Sequence, residues 1–143
     1  MNEDTLAHVD LFSTLDKKEL QALAKSCQER TYNSGTTIFS QGDTGVGLYV
    51  VKSGKIRLTQ ANTQDRAEID LGTAGTGEVM GEMALLDDLP RSATATAESD
   101  VNVLVLPVWE FRGVLRQHPD IALKMLAALS RRLRKVETRR REW

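Results

Sequence analysis

GEMALLDDLPRSATATA, residues 81–97, is the stretch on which the reading of this chain turns. Gly81 and Glu82 open a short helical turn. One loop later stand a single arginine, Arg91, then Ser92 and a run of small residues suited to a strand. Each residue type has a use if the segment holds a phosphate joined to a sugar. A helix start presents unpaired backbone N–H groups, and its dipole favours an anion. Gly81 has no side chain and lets the backbone approach closely. Arg91 offers two parallel donors to phosphate oxygens and stays charged at any working pH. Ser92 adds a hydroxyl donor. Glu82 would repel a phosphate, so it is better placed to accept a hydrogen bond from a sugar hydroxyl.

Outward from this segment the chain divides by glycine. Nine of its ten glycines lie between Gly35 and Gly81, which marks the middle as short strands joined by tight turns. Leu48–Val51 and Ile56–Leu58 flank Ser53-Gly54, the pattern of a hairpin turn. Further strands are expected near 36–39, 67–71, 92–97 and 101–106. Short strands at regular spacing point to a small β-barrel or sandwich. Both ends read as helix. Asp16-Lys17-Lys18-Glu19 is a capping-box-like start, and Leu20, Leu23 and Ala24 follow as a short apolar face. Pro107 is expected in the first turn of a later helix, with Val108, Phe111, Val114 and Leu115 buried and Trp109 packed nearby. Gln117-His118-Pro119 breaks that helix, and another runs from about Asp120 into the C-terminal end. On it Leu126, Leu129, Leu133 and Val136 repeat at +3, +4, +3, an a/d seam of about two heptads. A core-packing stripe has the same spacing.

A chain of 143 residues suits one domain with a real core. Its 41% apolar and 27% charged residues are ordinary for a globular protein in water. The acidic start MNEDTLAHVD lacks the apolar core of a signal peptide, and no apolar run approaches the ~20 residues of a membrane span. Cys27 stands alone, which excludes an internal disulfide and an iron–sulfur cluster held by this chain by itself; a reducing cytoplasm is the expected setting. Net charge is −1, unevenly spread: residues 131–143 carry seven basic and two acidic residues. A basic end can serve nucleic acid or an acidic partner; the plainer reading is a solvated helix end whose charges suit the dipole. His8 and His118 are isolated, so no metal site is expected. Neither a Gly-x-Ser-x-Gly elbow, a Cys/His pair nor paired catalytic carboxylates stand out, and no enzymatic activity is expected.

Gly81-Glu82-Met83-Ala84-Leu85, the loop Leu86 to Pro90, and Arg91-Ser92-Ala93 together closely resemble the phosphate-binding cassette of cyclic-nucleotide-binding domains. Such domains occur in bacterial catabolite activators, regulatory subunits of cAMP-dependent protein kinase and cyclic-nucleotide-gated channels. The spacing of Gly42-Asp43 and Gly45-Val46-Gly47 before Leu48-Tyr49 is also similar, and the resemblance covers roughly residues 10–138. Met80 departs from the family's usual aromatic or branched residue. The resemblance implies a mainly β fold with flanking helices: a double-stranded, jelly-roll-like β-roll, an N-terminal helix, and C-terminal hinge and lid helices. One domain over 1–143 is expected, with a helical part to about residue 30, the roll over 31–106 with its cassette at 81–93, and helices over 107–143. It implies that Glu82 holds a ribose 2′-hydroxyl and Arg91 a cyclic phosphate. Backbone amides near Gly81, Glu82, Met83 and Ala84, with Ser92 and Ala93, would complete the cradle. The ligand implied is cAMP, less readily cGMP, because Ser92 stands where a threonine tends to favour guanine. No cofactor is implied.

Asp87 and Asp88 are expected in solvent, and Met83, Leu85 and Leu86 in the core beneath the cassette. The apolar stripe of the last helix is expected against the roll as a lid or against a second copy in a homodimer. No membrane or direct nucleic-acid contact is expected. Catabolite activators continue into a helix-turn-helix, whereas this sequence ends at Trp143. Two accounts follow: a stand-alone receptor module, or the effector-sensing half of a transcription regulator whose DNA-binding part lies outside this chain. A related β-roll sensing another effector is a third reading; Glu82 and Arg91 argue against it.

Overall fold

Thr94-Ala95-Thr96-Ala97 alternates polar and apolar residues at period two. It folds as a strand with both alanines buried and both threonines half-buried. The computed structural model describes residues 2–62, 64, 67–87 and 90–140; the side chains of Met83, Ala84 and residues 138–140 lie outside that description. Two compact units result, residues 26–111 and residues 1–25 with 112–143.

The first unit is a β-roll. Its strands are β1 (Gln28–Tyr32), β2 (Thr37–Phe39), β3 (Gly47–Ser53), β4 (Ile56–Ala61), β5 (Glu68–Ala74), β6 (Val79–Met80), β7 (Thr94–Ala97) and β8 (Val101–Pro107). They form two four-stranded antiparallel sheets, ordered β1-β8-β3-β6 and β2-β7-β4-β5. Tyr49, Met80, Val101, Val103 and Val105 of the first sheet and Ile56, Ala74, Ala95 and Ala97 of the second form one buried cluster. Small Ala95 and Ala97 leave room for the larger side chains opposite, as close packing requires.

Three expectations change here. Ser53-Gly54 is not a hairpin turn: β3 pairs with β6 and β8 while β4 pairs with β5 and β7, so the turn carries the chain between sheets. Gly54 has φ 93°, and a Cβ there would lie 2.4 Å from the Asp100 carbonyl, so the tight corner requires glycine. Local sequence cannot tell a turn that pairs its strands from one that parts them. β1 was not expected at all, and α2 (Lys17–Lys25) ends short of residue 30. Gln28-Glu29-Arg30-Thr31-Tyr32 has no apolar alternation because it is an edge strand with four of five residues exposed; its ladder runs from Gln28↔Val105 to Tyr32↔Val101. Pro107 ends β8 opposite Gly47 instead of entering a helix turn. A strand end tolerates its missing N–H, and α3 (Val108–Gln117) begins just after it.

In the helical unit α1 (Asn2–Ala7) packs on α2, and α4 (Pro119–Arg140) packs on a 3-10 turn, Asp10–Phe12. The capping box is reciprocal: the Asp16 N–H donates to Glu19 Oε1 (2.9 Å) and the Glu19 N–H to Asp16 Oδ1 (2.8 Å). Pro119 takes the first position of α4, where no N–H is needed. α4 buries Ile121, Met125 and Ala128 at helical spacing. Lys124 pairs with Glu19 and Arg132 with Asp10, each at 2.6 Å. The Leu126/Leu133/Val136 stripe points elsewhere and is exposed by 61%, 59% and 47%; Leu129 is half-buried. Trp109, expected to pack, is also exposed.

Candidate functional site

Among the described residues, one buried charge stands in the roll. Arg91 is only 7% exposed. Its Nη2 donates to the Gly47 carbonyl at 2.7 Å, and its Nη1 is buried without a hydrogen-bond partner among the described residues. The guanidinium carbon lies 4.4 Å from the Phe39 ring centre and 5.4 Å from that of Tyr49. The two rings lie 5.5 Å apart and tilted, and present their negative faces to the cation. No carboxylate forms an ion pair with it among the described residues. Burial therefore pulls the guanidinium below its usual range, while Tyr49 and Asp43 pull the other way. Arg91 remains a cation with a spare donor, in a place where an unsatisfied donor is costly.

The backbone around it is fixed from a neighbouring turn. Gly42 N–H donates to the Arg91 carbonyl (2.8 Å), and Arg91 N–H donates to the Asp43 carbonyl (2.7 Å). Gly81 faces the guanidinium with φ 74°; a Cβ at this position would stand 1.8 Å from Arg91 Nη1. Glycine here makes room for the arginine itself, a closer constraint than the backbone approach to ligand read from sequence.

Beside this charge opens a cleft of about 480 Å³. Phe39, Leu58 and Met80 form apolar wall, while Gly81, Glu82, Arg91, Ser92 and Ala93 contribute the other side. Five of the seven residues singled out in the sequence thus meet at one cleft. Met83 and Ala84 belong to the turn Glu82–Leu85, but their side chains lie outside the described part. That turn is a four-residue 3-10 helix, too short for much macrodipole, so attraction for an anion rests on Arg91. Leu85 is buried as expected, but Leu86 is 39% exposed. Asp87, expected in solvent, lines the cleft; Asp88 lies outside the described residues. Phe39, Tyr49 and the Gly47 carbonyl escaped sequence reasoning, because strand aromatics look like ordinary core.

Cys27 is half-buried, and burial pushes its thiol up to about 12, so it is no nucleophile at neutral pH. No three metal-ligating side chains converge among the described residues. No helix among them is long and apolar enough to cross a membrane.

The family model of the cyclic nucleotide-binding domain matches residues 29–118. The cyclic AMP receptor protein of Thermus thermophilus is 40% identical over 129 residues, 89% of this chain and 58% of that protein. A cAMP-activated global transcriptional regulator of Mycobacterium tuberculosis is 28% identical over 94% of this chain and 59% of its own length. The chain thus spans under three fifths of these curated relatives. Among solved structures, the N-terminal domain of a transcriptional regulator from Streptomyces coelicolor A3(2) superposes with a TM-score of 0.88 at 37% identity, covering 96% of both chains. The catabolite activator protein of Thermus thermophilus gives 0.73 at 38% identity, over 91% of this chain and 61% of that one. The matched domain is a regulatory, non-enzymatic module. With a match over more than half its length, the chain belongs to the cyclic nucleotide-binding domain family.

Proposed function

We propose that this chain is a cAMP-binding regulatory module that takes cGMP less readily and changes conformation when ligand fills the cleft. The observation that carries the reading is the buried Arg91 guanidinium, which among the described residues has no ion-pair partner and keeps one unsatisfied donor. A cyclic phosphate supplies the missing charge and acceptor together. Glu82 accepts from the ribose 2′-hydroxyl, the Ser92 hydroxyl and turn amides complete the cradle, and the apolar wall receives the base. Ser92 favours adenine over guanine only modestly. The module works in the cytoplasm, where cyclic nucleotides are made and read.

Calorimetric titration with cAMP and cGMP tests this. Wild type should bind cAMP more tightly than cGMP. Removing one partner of a buried charge pair costs about 2–5 kcal/mol, so Arg91→Ala should weaken cAMP by about 30-fold or more. Arg91→Lys should also lose affinity, because it lacks the planar fork. Unchanged affinity in folded Arg91→Ala would refute the assignment.

A second reading has its own support. The relatives extend well beyond the matched segment, and the Streptomyces coelicolor structure is the N-terminal domain of a transcriptional regulator. On this reading the chain is the effector-sensing domain of such a regulator. The exposed Leu126/Leu133/Val136 stripe with Leu129 then forms the seam of a homodimer. A longer reading frame encoding a helix-turn-helix after residue 143 decides for it.

A further inference from the structure

The β4–β7 ladder stops at Thr59↔Thr94. The residues before Thr94 leave their neighbour and build the cleft side with Arg91, Ser92 and Ala93. Backbone pairing with β4 therefore ends just where the proposed ligand contacts begin. Two glutamine side chains take over from it. Gln60, one residue past the last ladder pair, donates from Nε2 to the Ser92 carbonyl at 2.9 Å. Gln41 holds both backbone groups of Ala61, the last residue of β4: its Oε1 accepts from the Ala61 N–H (2.7 Å) and its Nε2 donates to the Ala61 carbonyl (3.1 Å). A primary amide presents donor and acceptor in one plane, as a peptide does, so this contact copies a rung of a ladder. The Gln41 N–H also donates to Thr94 Oγ1 at 2.9 Å. The next two residues, Gly42 and Asp43, grip the Arg91 backbone from both sides. The links close a ring from the turn to Arg91, from Ser92 to Gln60, and from β4 back to the turn.

We propose that Gln60 and Gln41 are positioning residues: they hold the Arg91–Ala93 backbone in its ligand-ready path without touching ligand. Neither is among the residues that line the cleft. The proposal rests on the cleft being the cyclic-nucleotide site, and its test separates the two ideas. Gln60→Met keeps the side-chain length and loses the donor; Gln60→Lys keeps a donor at the end of a long stem. In unliganded protein, amide hydrogen exchange across 91–94 should be faster in Gln60→Met and in Gln41→Met than in wild type. Affinity for cAMP should fall about two- to tenfold in Gln60→Met, the worth of one exposed hydrogen bond, and recover in Gln60→Lys. The thermal midpoints of the two unliganded Gln60 variants should agree. Unchanged exchange at 91–94, unchanged affinity in both methionine variants, or no recovery with lysine overturns the role. Failure of wild type to bind cAMP would sink the site assignment alone, and the exchange data would still judge the braces.

Discussion

Gly81 and Arg91 occupy each other's space, and that pair sets the residue-scale expectations. Gly81→Ala puts a Cβ 1.8 Å from Nη1 and adds strain at φ 74°. Overpacking of this kind costs about 1–3 kcal/mol. The variant should melt lower and bind cAMP less tightly, as shown by thermal unfolding and titration. The double variant Gly81→Ala/Arg91→Ala should lose less stability than the two single losses added, because the colliding group is gone. Additive losses would separate the two residues. Glu82 gives a second expectation: a hydrogen bond to a charged acceptor is worth about 1.5–3 kcal/mol, so 2′-deoxy-cAMP should bind about tenfold or more weakly to wild type. Glu82→Gln should narrow that gap, and equal binding of the two ligands to wild type would exclude the ribose role. Gly81, Glu82, Arg91, Ser92 and Ala93 were legible because turn, charge and hydroxyl fall within thirteen residues. Phe39 and Tyr49 were not: they reach Arg91 from strands far away in sequence, and nothing local marks a ring as cation-facing instead of core-facing.

Element boundaries follow the same division between local and distant causes. The capping box before α2 was legible because all its partners lie within four residues. Asp16→Ala should cost about 0.5–2 kcal/mol, a fall of a few degrees in the thermal midpoint read by circular dichroism. Glu19→Gln keeps an acceptor for the Asp16 N–H and loses only the ionic part of the Lys124 contact, so its fall should be smaller. Equal losses would mean that the ion pair, not the cap, matters. Pro119 was legible as the break between α3 and α4, because a proline cannot continue the helix before it. β1 and the β3–β4 crossing were not, since each depends on a strand remote in sequence: β8 for β1, and β7 and β8 for the corner. Gln60 and Gln41 belong with these, because a glutamine near a strand end or in a turn reads as surface until its partner carbonyl is located.

At the scale of the molecule, α4 carries two apolar faces with separate fates. Ile121, Met125 and Ala128 are buried within the chain, while Leu126, Leu133 and Val136 remain open. Sequence spacing revealed the second stripe but not its exposure, because a period of three and four is common to seams and cores. Replacing Leu129 and Leu133 by glutamine should leave phosphate binding intact and convert any dimer to monomer in sedimentation. Saturating cAMP should change hydrogen exchange across 107–140 as well as at 81–93, because a ligand shifts a conformational equilibrium by its differential affinity. Change confined to the cassette would make the chain a passive binder. The strand order has a consequence of another kind. The chain enters the roll on β1 and departs on β8, and these are hydrogen-bonded neighbours with Gln28 opposite Val105, about 5 Å apart at the backbone. A unit whose two ends sit side by side can be spliced into a loop of an unrelated host without prying the host apart. Residues 26–107, spliced into a surface loop of a fluorescent host protein, should therefore leave the host's fluorescence intact, because the ends of the insert arrive side by side.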